Sequence, residues 1–578
     1  MLIRLLSLCC FLLCATGAGA ARLEIPLRIP LEAIAAALGG QLAYRESPCR
    51  YLRVDKPTLE ALDGRLRLSG PGVGAWGLDA PGNCWGAPTW RGTAQFTLAP
   101  HLDSRGRLRL QIIDSRLSNA PLWDAAKRHL HPRLERFSYD LGALRSAVTQ
   151  IVRSVAPAEH ASELEAALAQ LEIEQPRIEP GGVVLPIAFE VPDAWLGAPP
   201  ANASTAPLTE AELDALEQAL QPWDAFLAYT IKQLALDNDD GAVRQRLFTL
   251  LLESRYELAA LLSGEVRAVG DPVRALFLQA WGEMRAILAD ARYFVFLDAG
   301  DALAELDRAA PGLGMRLSAD GLRQLARSLK PGAGDDPLAY DWAVDPQLGT
   351  LFGVEQIPRS DPSSPPGRSL LDFFVSRAYA AESHALDQWV PTRGELRAYE
   401  GRIGDLLRKT AATELQRTPL AAPHEKIYRS LLPATALIES CWRQYEIHAG
   451  KVRYLRSGSG SVGIMQINQH VWRGFYDVQR LRWDTAYNTR AGAQILMRYL
   501  KDYAIPYAER SGDPDDTPRA AYAVYNAGPR AVGRFNKNPP HPREARVDER
   551  LWTLFEGIAS GGQPDLRTCG VTNAAASR

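Results

Sequence analysis

The chain has 578 residues, and its 65 basic and 67 acidic side chains leave a formal net charge of -2 at pH 7. A chain of this length is too long for one hydrophobic core, so we expect two or three domains. The balanced charge argues against the broad basic surface of a nucleic-acid-binding protein, and no nucleic-acid partner is predicted.

The first twenty residues have the pattern of a secretory signal peptide. Arg4 precedes an apolar run that ends near Ala15, and small residues follow up to Ala20. This order predicts cleavage after Ala20 and a periplasmic or secreted protein. Two alternatives stay open: a membrane anchor, although the run is shorter than the ~20 apolar residues of a span, and a lipid on Cys14, which the bulky Leu13 before it disfavours.

Four cysteines remain after that cleavage, and an even number in an exported chain predicts disulfide bonds. They are Cys49, Cys84, Cys441 and Cys569. Three pairings are open to four cysteines. We favour Cys49 with Cys84 and Cys441 with Cys569, because each pair then lies within one predicted domain.

Residues 21–196 are predicted to form a β-rich α+β module. Apolar and polar residues alternate in several short runs, which is typical of half-buried strands, and glycine and proline clusters supply turns between them. Helix-like stretches near 31–38 and 141–171 interrupt the strands. This order of elements resembles tubular lipid-binding modules, and another accessory α+β fold has the same pattern. The partner expected for the module is therefore a lipid or an envelope protein.

Two segments rich in proline and small polar residues predict linkers, at 197–207 and 357–369. Just after the first, Thr209 and Glu212 form a capping-box pattern that predicts the start of a helix. Apolar residues then recur at helical spacing. We therefore predict a helical domain over 208–356.

Residues 370–578 are predicted to hold a helical lead-in and then an all-α domain with its core at about 420–560. Three short motifs follow one another there, with a small-residue helix start between the last two. They are Ile438-Glu439-Ser440, Gly463-Ile464-Met465-Gln466-Ile467-Asn468 and Val524-Tyr525-Asn526-Ala527-Gly528-Pro529, and the helix start is 488–496. In this order they resemble the lysozyme-like SLT domain of soluble lytic transglycosylases. The expected fold is thus an α+β multidomain protein: a β-rich α+β module, a helical middle and an all-α lysozyme-like domain.

Glu439 is the candidate catalytic acid. Cleavage of a glycosidic bond requires a carboxyl group that is protonated near neutral pH. Glu439 follows an apolar helical stretch, and an apolar setting raises the pKa of a carboxyl group. The resemblance implies that this residue first protonates the glycosidic oxygen and then removes a proton from the C6 hydroxyl of N-acetylmuramic acid. A 1,6-anhydro ring results, and no water is consumed.

The resemblance also implies substrate-binding roles for five residues near Glu439. They are Ser440, Met465, Gln466, Tyr525 and Asn526. Ser440 is expected to contact either the substrate or the loop that carries the glutamate. Met465 and Gln466 are expected to line the cleft, and Tyr525 is expected to hold its hydroxyl near Glu439. The implied partner is the glycan strand of peptidoglycan. No metal site and no cofactor are predicted.

The segment 441–462 departs from the family pattern, because it is longer than usual and lacks the Phe-x-Pro that ordinarily follows the Glu-Ser pair. The sequence therefore does not determine the shape of the cleft, and it leaves two alternative functions. A hydrolase of the goose-lysozyme kind would need a second carboxylate, for which Asp477, Asp484 and Glu446 are candidates. A non-catalytic envelope protein would bind peptidoglycan or lipid without cleaving it.

Overall fold

The computed structural model describes residues 20–39, 42–80, 83–85, 89–118, 131–132, 134–139, 141–197, 209–264, 270–288, 293–330, 332, 334–357 and 386–569. The predicted signal peptide lies outside these residues except for Ala20, which begins the first strand. The two predicted linkers also lie outside them except for their first residues. The chain forms two compact units, Met1–Thr205 with Val269–Leu338 and Ala206–Ala268 with Ala339–Arg578. The domain boundaries predicted from the sequence stay predictions.

The first unit is rich in antiparallel strands. In chain order its first elements are β1 (Ala20–Pro30), α1 (Leu31–Gly39), β2 (Ala43–Ser47), β3 (Arg50–Val54), β4 (Thr58–Leu62), β5 (Arg65–Trp76), β6 (Leu78–Ala80), β7 (Asn83–Trp85), β8 (Thr89–Leu102), β9 (Leu108–Leu117), β10 (Ser138–Tyr139), α2 (Gly142–Val155), α3 (Ala161–Ala169), β11 (Glu172–Ile173), β12 (Arg177–Glu179) and β13 (Gly182–Pro192).

Two main sheets arise from these strands. One has the order β1-β13-β11 with β12 also paired to β13, and the other has the order β10-β9-β8-β5-β3-β2 with β4 paired to β5. Alternate residues of β1, such as Leu23, Ile25 and Leu27, are buried as their period-two spacing predicts. Helix α2 contributes Val148, Ile151 and Val155 to the buried core of this unit. The predicted β-rich module is confirmed.

The middle of the chain is helical, as predicted. Its helices are α4 (Glu210–Leu236), α5 (Gly241–Ser263), α6 (Pro272–Ile287), α7 (Phe294–Ala309), α8 (Ala319–Leu329) and α9 (Pro346–Leu351). The capping box before α4 is present: Thr209 accepts from the main-chain N–H of Glu212, whose carboxylate bonds back to Thr209. Helices α6 to α8 belong to the first compact unit, whereas α4, α5 and α9 belong to the second.

The C-terminal region is also helical and has two small hairpins. Its elements are α10 (Leu396–Arg417), α11 (Ala422–Ser440), β14 (Tyr445–His448), β15 (Lys451–Tyr454), β16 (Ser461–Val462), β17 (Ile467–Asn468), α12 (Val478–Trp483), α13 (Thr485–Tyr499), α14 (Ile505–Ser511), α15 (Asp516–Ala527) and α16 (Pro542–Ala559). The prediction of a helical C-terminal domain is confirmed, with the β14-β15 and β16-β17 pairs as additions. Among the described residues, no helix combines the length and the apolarity needed to cross a bilayer.

Helix α11 ends abruptly, and this end fixes the direction of the chain after Glu439. Cys441 and Trp442 both have left-handed backbones, with φ of 53° and 58°, a conformation that costs roughly 1–2 kcal/mol for a non-glycine residue. Two contacts hold the turn: the indole of Trp442 donates to the carbonyl of Pro433 at 2.9 Å, and Cys441 forms the predicted disulfide with Cys569. Cys49 is also disulfide-bonded, and its pairing with Cys84 stays a prediction, because that side chain is outside the described part.

Candidate active site

A cleft of about 730 Å³ lies in the second unit, and Glu439 forms part of its wall. Its volume is in the range of ligand-binding clefts. The wall comes from α5, the segment 457–468, the C-terminal end of α15 and the beginning of α16. A smaller cavity of about 180 Å³ beside Glu414 contains none of the predicted site residues, so the larger cleft is the candidate site.

Glu439 occupies the last turn of α11, and its side chain is half-buried. The hydroxyl of Tyr522 donates to Glu439 Oε1 at 3.0 Å, and the side chain of Asn526 also bonds the carboxylate. Burial raises the pKa of Glu439 to about 7, against the opposing effect of these two hydrogen bonds and of the Arg534 charge. The carboxyl group is therefore partly protonated at neutral pH, yet it faces the cleft.

Asn526 owes its orientation to a buried ion pair behind it. Arg534 Nη1 donates to Asn526 Oδ1 at 2.8 Å, and the same guanidinium bonds Asp548 at 2.6 Å. Both charged side chains are buried. Because the amide oxygen of Asn526 accepts from Arg534, its NH₂ group is the end that faces Glu439. The amide thus acts as a donor to the carboxylate.

Tyr525 lies in the wall of the cleft, but its hydroxyl does not bond Glu439. It donates to the main-chain carbonyl of Met465 at 2.6 Å. Tyr525 is close enough to Glu439 for the charge of that carboxylate to raise its pKa further, after the effect of burial, but the hydroxyl that donates to Glu439 belongs to Tyr522, which the sequence analysis missed. The signal for it was helical spacing: Tyr522 and Asn526 are four residues apart and share one face of α15.

Ser440 and Met465 are both buried and lie behind the cleft wall. The hydroxyl of Ser440 lies 2.6 Å from the carbonyl oxygen of Ile464, which joins α11 to the loop of the second motif. The main-chain N–H of Met465 donates to Asn488 Oδ1 at 2.9 Å. Ser440 and Met465 therefore hold the loop in place. The contact of Ser440 with the loop is one of the two roles expected for it, whereas the side chain of Met465 does not line the cleft as expected.

The glycines of the second motif and of α13 permit this close packing. A Cβ at Gly492 would lie 2.5 Å from the Cβ of Met465, and Gly463, at φ +76°, lies against the amide of Asn488. A larger residue at either position would displace the loop. Gln466, which follows Met465, does line the cleft, and its Nε2 donates to the carbonyl of Gly463 at 2.8 Å.

The three carboxylates considered for a hydrolytic mechanism have other partners. The side chain of Asp477 accepts from main-chain N–H groups at the start of α12, and the side chain of Asp484 does the same at the start of α13. Glu446 forms an ion pair with Arg453 at 2.6 Å. None of the three belongs to the cleft wall as the described residues define it. Of these candidates, none is placed to position a water opposite Glu439.

A half-buried carboxyl group with a raised pKa in the wall of a cleft is the arrangement that a general acid requires. Residues 420–547 match the family model described as Transglycosylase SLT domain. The resemblance inferred from the three motifs is confirmed for this part of the chain, and it implies a lytic transglycosylase that binds peptidoglycan and acts on the cell wall. No curated protein and no solved structure matches the chain.

Proposed function

We propose that this protein is a lytic transglycosylase that cleaves the β-1,4 bond between N-acetylmuramic acid and N-acetylglucosamine, with Glu439 as acid and then base. One observation carries the proposal: Glu439 lies in the wall of the cleft of an SLT domain with its carboxylate bonded by Tyr522, a setting whose burial raises its pKa to about 7. The export of the protein to the periplasm or beyond, predicted from the first twenty residues, belongs to the same proposal.

In the first step, protonated Glu439 donates its proton to the glycosidic oxygen, and the bond from that oxygen to C1 of the muramic acid breaks. Positive charge develops on the ring as Glu439 becomes a carboxylate. The hydrogen bond from Tyr522 and the amide of Asn526 stabilise that carboxylate. They therefore favour proton donation, while burial keeps the group protonated beforehand.

In the second step, the Glu439 carboxylate removes the proton of the C6 hydroxyl, and the C6 oxygen bonds to C1. The product is a 1,6-anhydro ring, and Glu439 returns to its protonated form without consumption of water. The acetamido oxygen of the substrate supplies the stabilisation that a second carboxylate would give, akin to substrate-assisted exceptions to the two-carboxylate scheme. Asp477, Asp484 and Glu446 are engaged elsewhere, which favours this route over the goose-lysozyme-like hydrolase.

The remaining predicted site residues take two kinds of role in this proposal. Gln466, Tyr525 and Asn526 belong to the cleft wall and contact the glycan or the groups that hold Glu439. Ser440 and Met465 act through the loop that they hold. The first unit, with its antiparallel sheets, is proposed to bind a lipid or an envelope protein that brings the enzyme to its substrate.

The test of this proposal is lysis of purified sacculi by the Glu439→Gln variant. The amide keeps the shape of the side chain but has no proton to donate, so we expect activity to fall by roughly 10²–10⁴-fold. Glu425→Gln, in the first turn of the same helix and outside the cleft wall, is the matched control and should retain activity. Lysis by Glu439→Gln at the wild-type rate would refute the role of Glu439. A wild type that binds sacculi without lysing them would favour the non-catalytic envelope protein.

A further inference from the structure

Helix α5 forms part of the cleft wall although it lies outside the segment 420–547 that matches the SLT family model. It belongs to the same compact unit and contacts the SLT segment at several points. Thr249 Oγ1 lies 2.7 Å from the hydroxyl of Tyr503, and Arg255 Nη1 donates to the carbonyl of Arg473 at 2.8 Å. The helix is therefore built into the domain that carries Glu439.

Tyr256 of α5 reaches the C-terminal end of α15. Its hydroxyl donates to the main-chain carbonyl of Tyr525 at 3.1 Å and lies 3.2 Å from the hydroxyl of Tyr499. The last carbonyls of a helix have no partner within the helix, so Tyr256 satisfies one of them. Its ring lies against Gly528, where an added Cβ would come within 2.7 Å of the ring.

The turn that Tyr256 holds is the turn that contacts Glu439. Tyr522 and Asn526, which both bond the carboxylate, lie on the last two turns of α15, on either side of Tyr525. A small shift of this helix end would lengthen both hydrogen bonds. We infer that Tyr256 is a positioning residue that fixes the end of α15 so that Tyr522 and Asn526 hold the Glu439 carboxyl group.

This inference rests on the proposed function for its kinetic test, which uses the Tyr256→Phe variant of the full chain. The change removes the hydroxyl and keeps the ring against Gly528. We expect kcat on peptidoglycan to fall about 10-fold with KM unchanged, since holding a catalytic group in place contributes to the rate and not to substrate binding. Tyr503→Phe removes a phenol that bonds the same helix elsewhere, and it should leave both constants unchanged.

A double variant separates a positioning role from a general loss of stability. If Tyr256 acts through Tyr522 and Asn526, the Tyr256→Phe, Asn526→Ala double variant should lose less activity than the product of the two single losses. Fully additive losses would overturn the inference. A rise in KM with unchanged kcat would also overturn it, because Tyr256 would then contact the sugar itself.

The pKa of Glu439 gives a readout that does not depend on catalysis. Looser bonds to Tyr522 and Asn526 remove part of what lowers this pKa, so Tyr256→Phe should raise it by roughly half a unit. Carbodiimide labels protonated carboxyl groups, and peptide mass spectrometry of Glu439 against pH measures the change. An unchanged labelling profile and unchanged kcat refute the inference and leave the proposed function intact. If the wild type forms no anhydro products, the proposed function is refuted. The labelling of Glu439 against pH still tests whether Tyr256 positions the groups that bond this carboxyl group.

Discussion

The hydroxyl of Tyr522 is the contact whose removal has the most specific consequence. It donates to Glu439 Oε1 at 3.0 Å, and a donor stabilises the carboxylate form and lowers the pKa of the acid. The Tyr522→Phe variant keeps the ring in its buried position and removes only this bond. The pKa of Glu439 should therefore rise above its value of about 7.

The size of this change follows from the strength of the bond. A hydrogen bond to a charged group contributes about 1.5–3 kcal/mol, and one pKa unit corresponds to about 1.4 kcal/mol. Because Glu439 is half-buried, water can replace part of the lost bond, and the lower end of that range applies. We expect the pKa to rise by about one unit.

The assay is the rate of glycan release from soluble peptidoglycan fragments between about pH 5 and pH 9. Glu439 must be protonated when the cycle begins, so activity falls as the pH rises through its pKa, and Tyr522→Phe should move this alkaline limb to higher pH. Tyr507→Phe is the matched control, because its hydroxyl accepts from Asn536 and the residue does not belong to the cleft wall. An alkaline limb of Tyr522→Phe that stays in place, or moves to lower pH, would refute the reasoning.

Three further predictions concern stability and packing. The pKa of Glu439 in the folded protein, about 7, exceeds its ordinary 4.5, so ionising the buried carboxyl group costs no stability below about pH 4.5 and up to about 3 kcal/mol above pH 7. Glu439→Gln should therefore resist urea better than the wild type at high pH but not at low pH. Equal resistance at high pH would contradict this prediction. In Gly492→Ala the added methyl group presses on the side chain of Met465, so the rate of sacculus lysis should fall with little change in its pH profile. A wild-type rate would contradict this prediction, because the loop would then tolerate the contact. Cys441→Ser removes a disulfide that closes a loop of 128 residues and should lower the free energy of unfolding by about 2–4 kcal/mol, as measured by urea titration against the wild type. An unchanged urea midpoint would contradict this prediction.

The sequence predicted those parts of the site that depend on local pattern. Glu439, Gln466 and Asn526 lie in the cleft wall because each belongs to a short motif whose neighbours fix its backbone. Tyr522 was within reach of the same reasoning, since its spacing of four residues from Asn526 places both on one helix face. The prediction chose Tyr525 because it belongs to the third motif. The structure shows that the hydroxyl of Tyr522 is the one that donates to Glu439.

Contacts between distant parts of the chain were beyond sequence reasoning. Tyr256 and Tyr525 are 269 positions apart, and the apolar spacing of α5 predicts a helix without naming what it packs against. The sequence also did not show which helices of the middle region pack together. We predicted one helical domain, but these helices are divided between the two compact units. The hairpin β14-β15 within 441–462 had only a weak sequence signal, the alternation of apolar and polar residues on both sides of Ala449-Gly450. These two residues have left-handed backbones and form the turn of the hairpin.

Digestion of purified sacculi in water enriched in heavy oxygen tests the central claim most directly. If the C6 hydroxyl of the substrate attacks C1 under the control of Glu439, mass spectrometry should find unlabelled 1,6-anhydro ends that are one water lighter than hydrolytic products. These ends should disappear with Glu439→Gln. Reducing ends that carry the heavy oxygen would show that water attacks instead, and the account of a single carboxyl group acting as acid and then base would be contradicted.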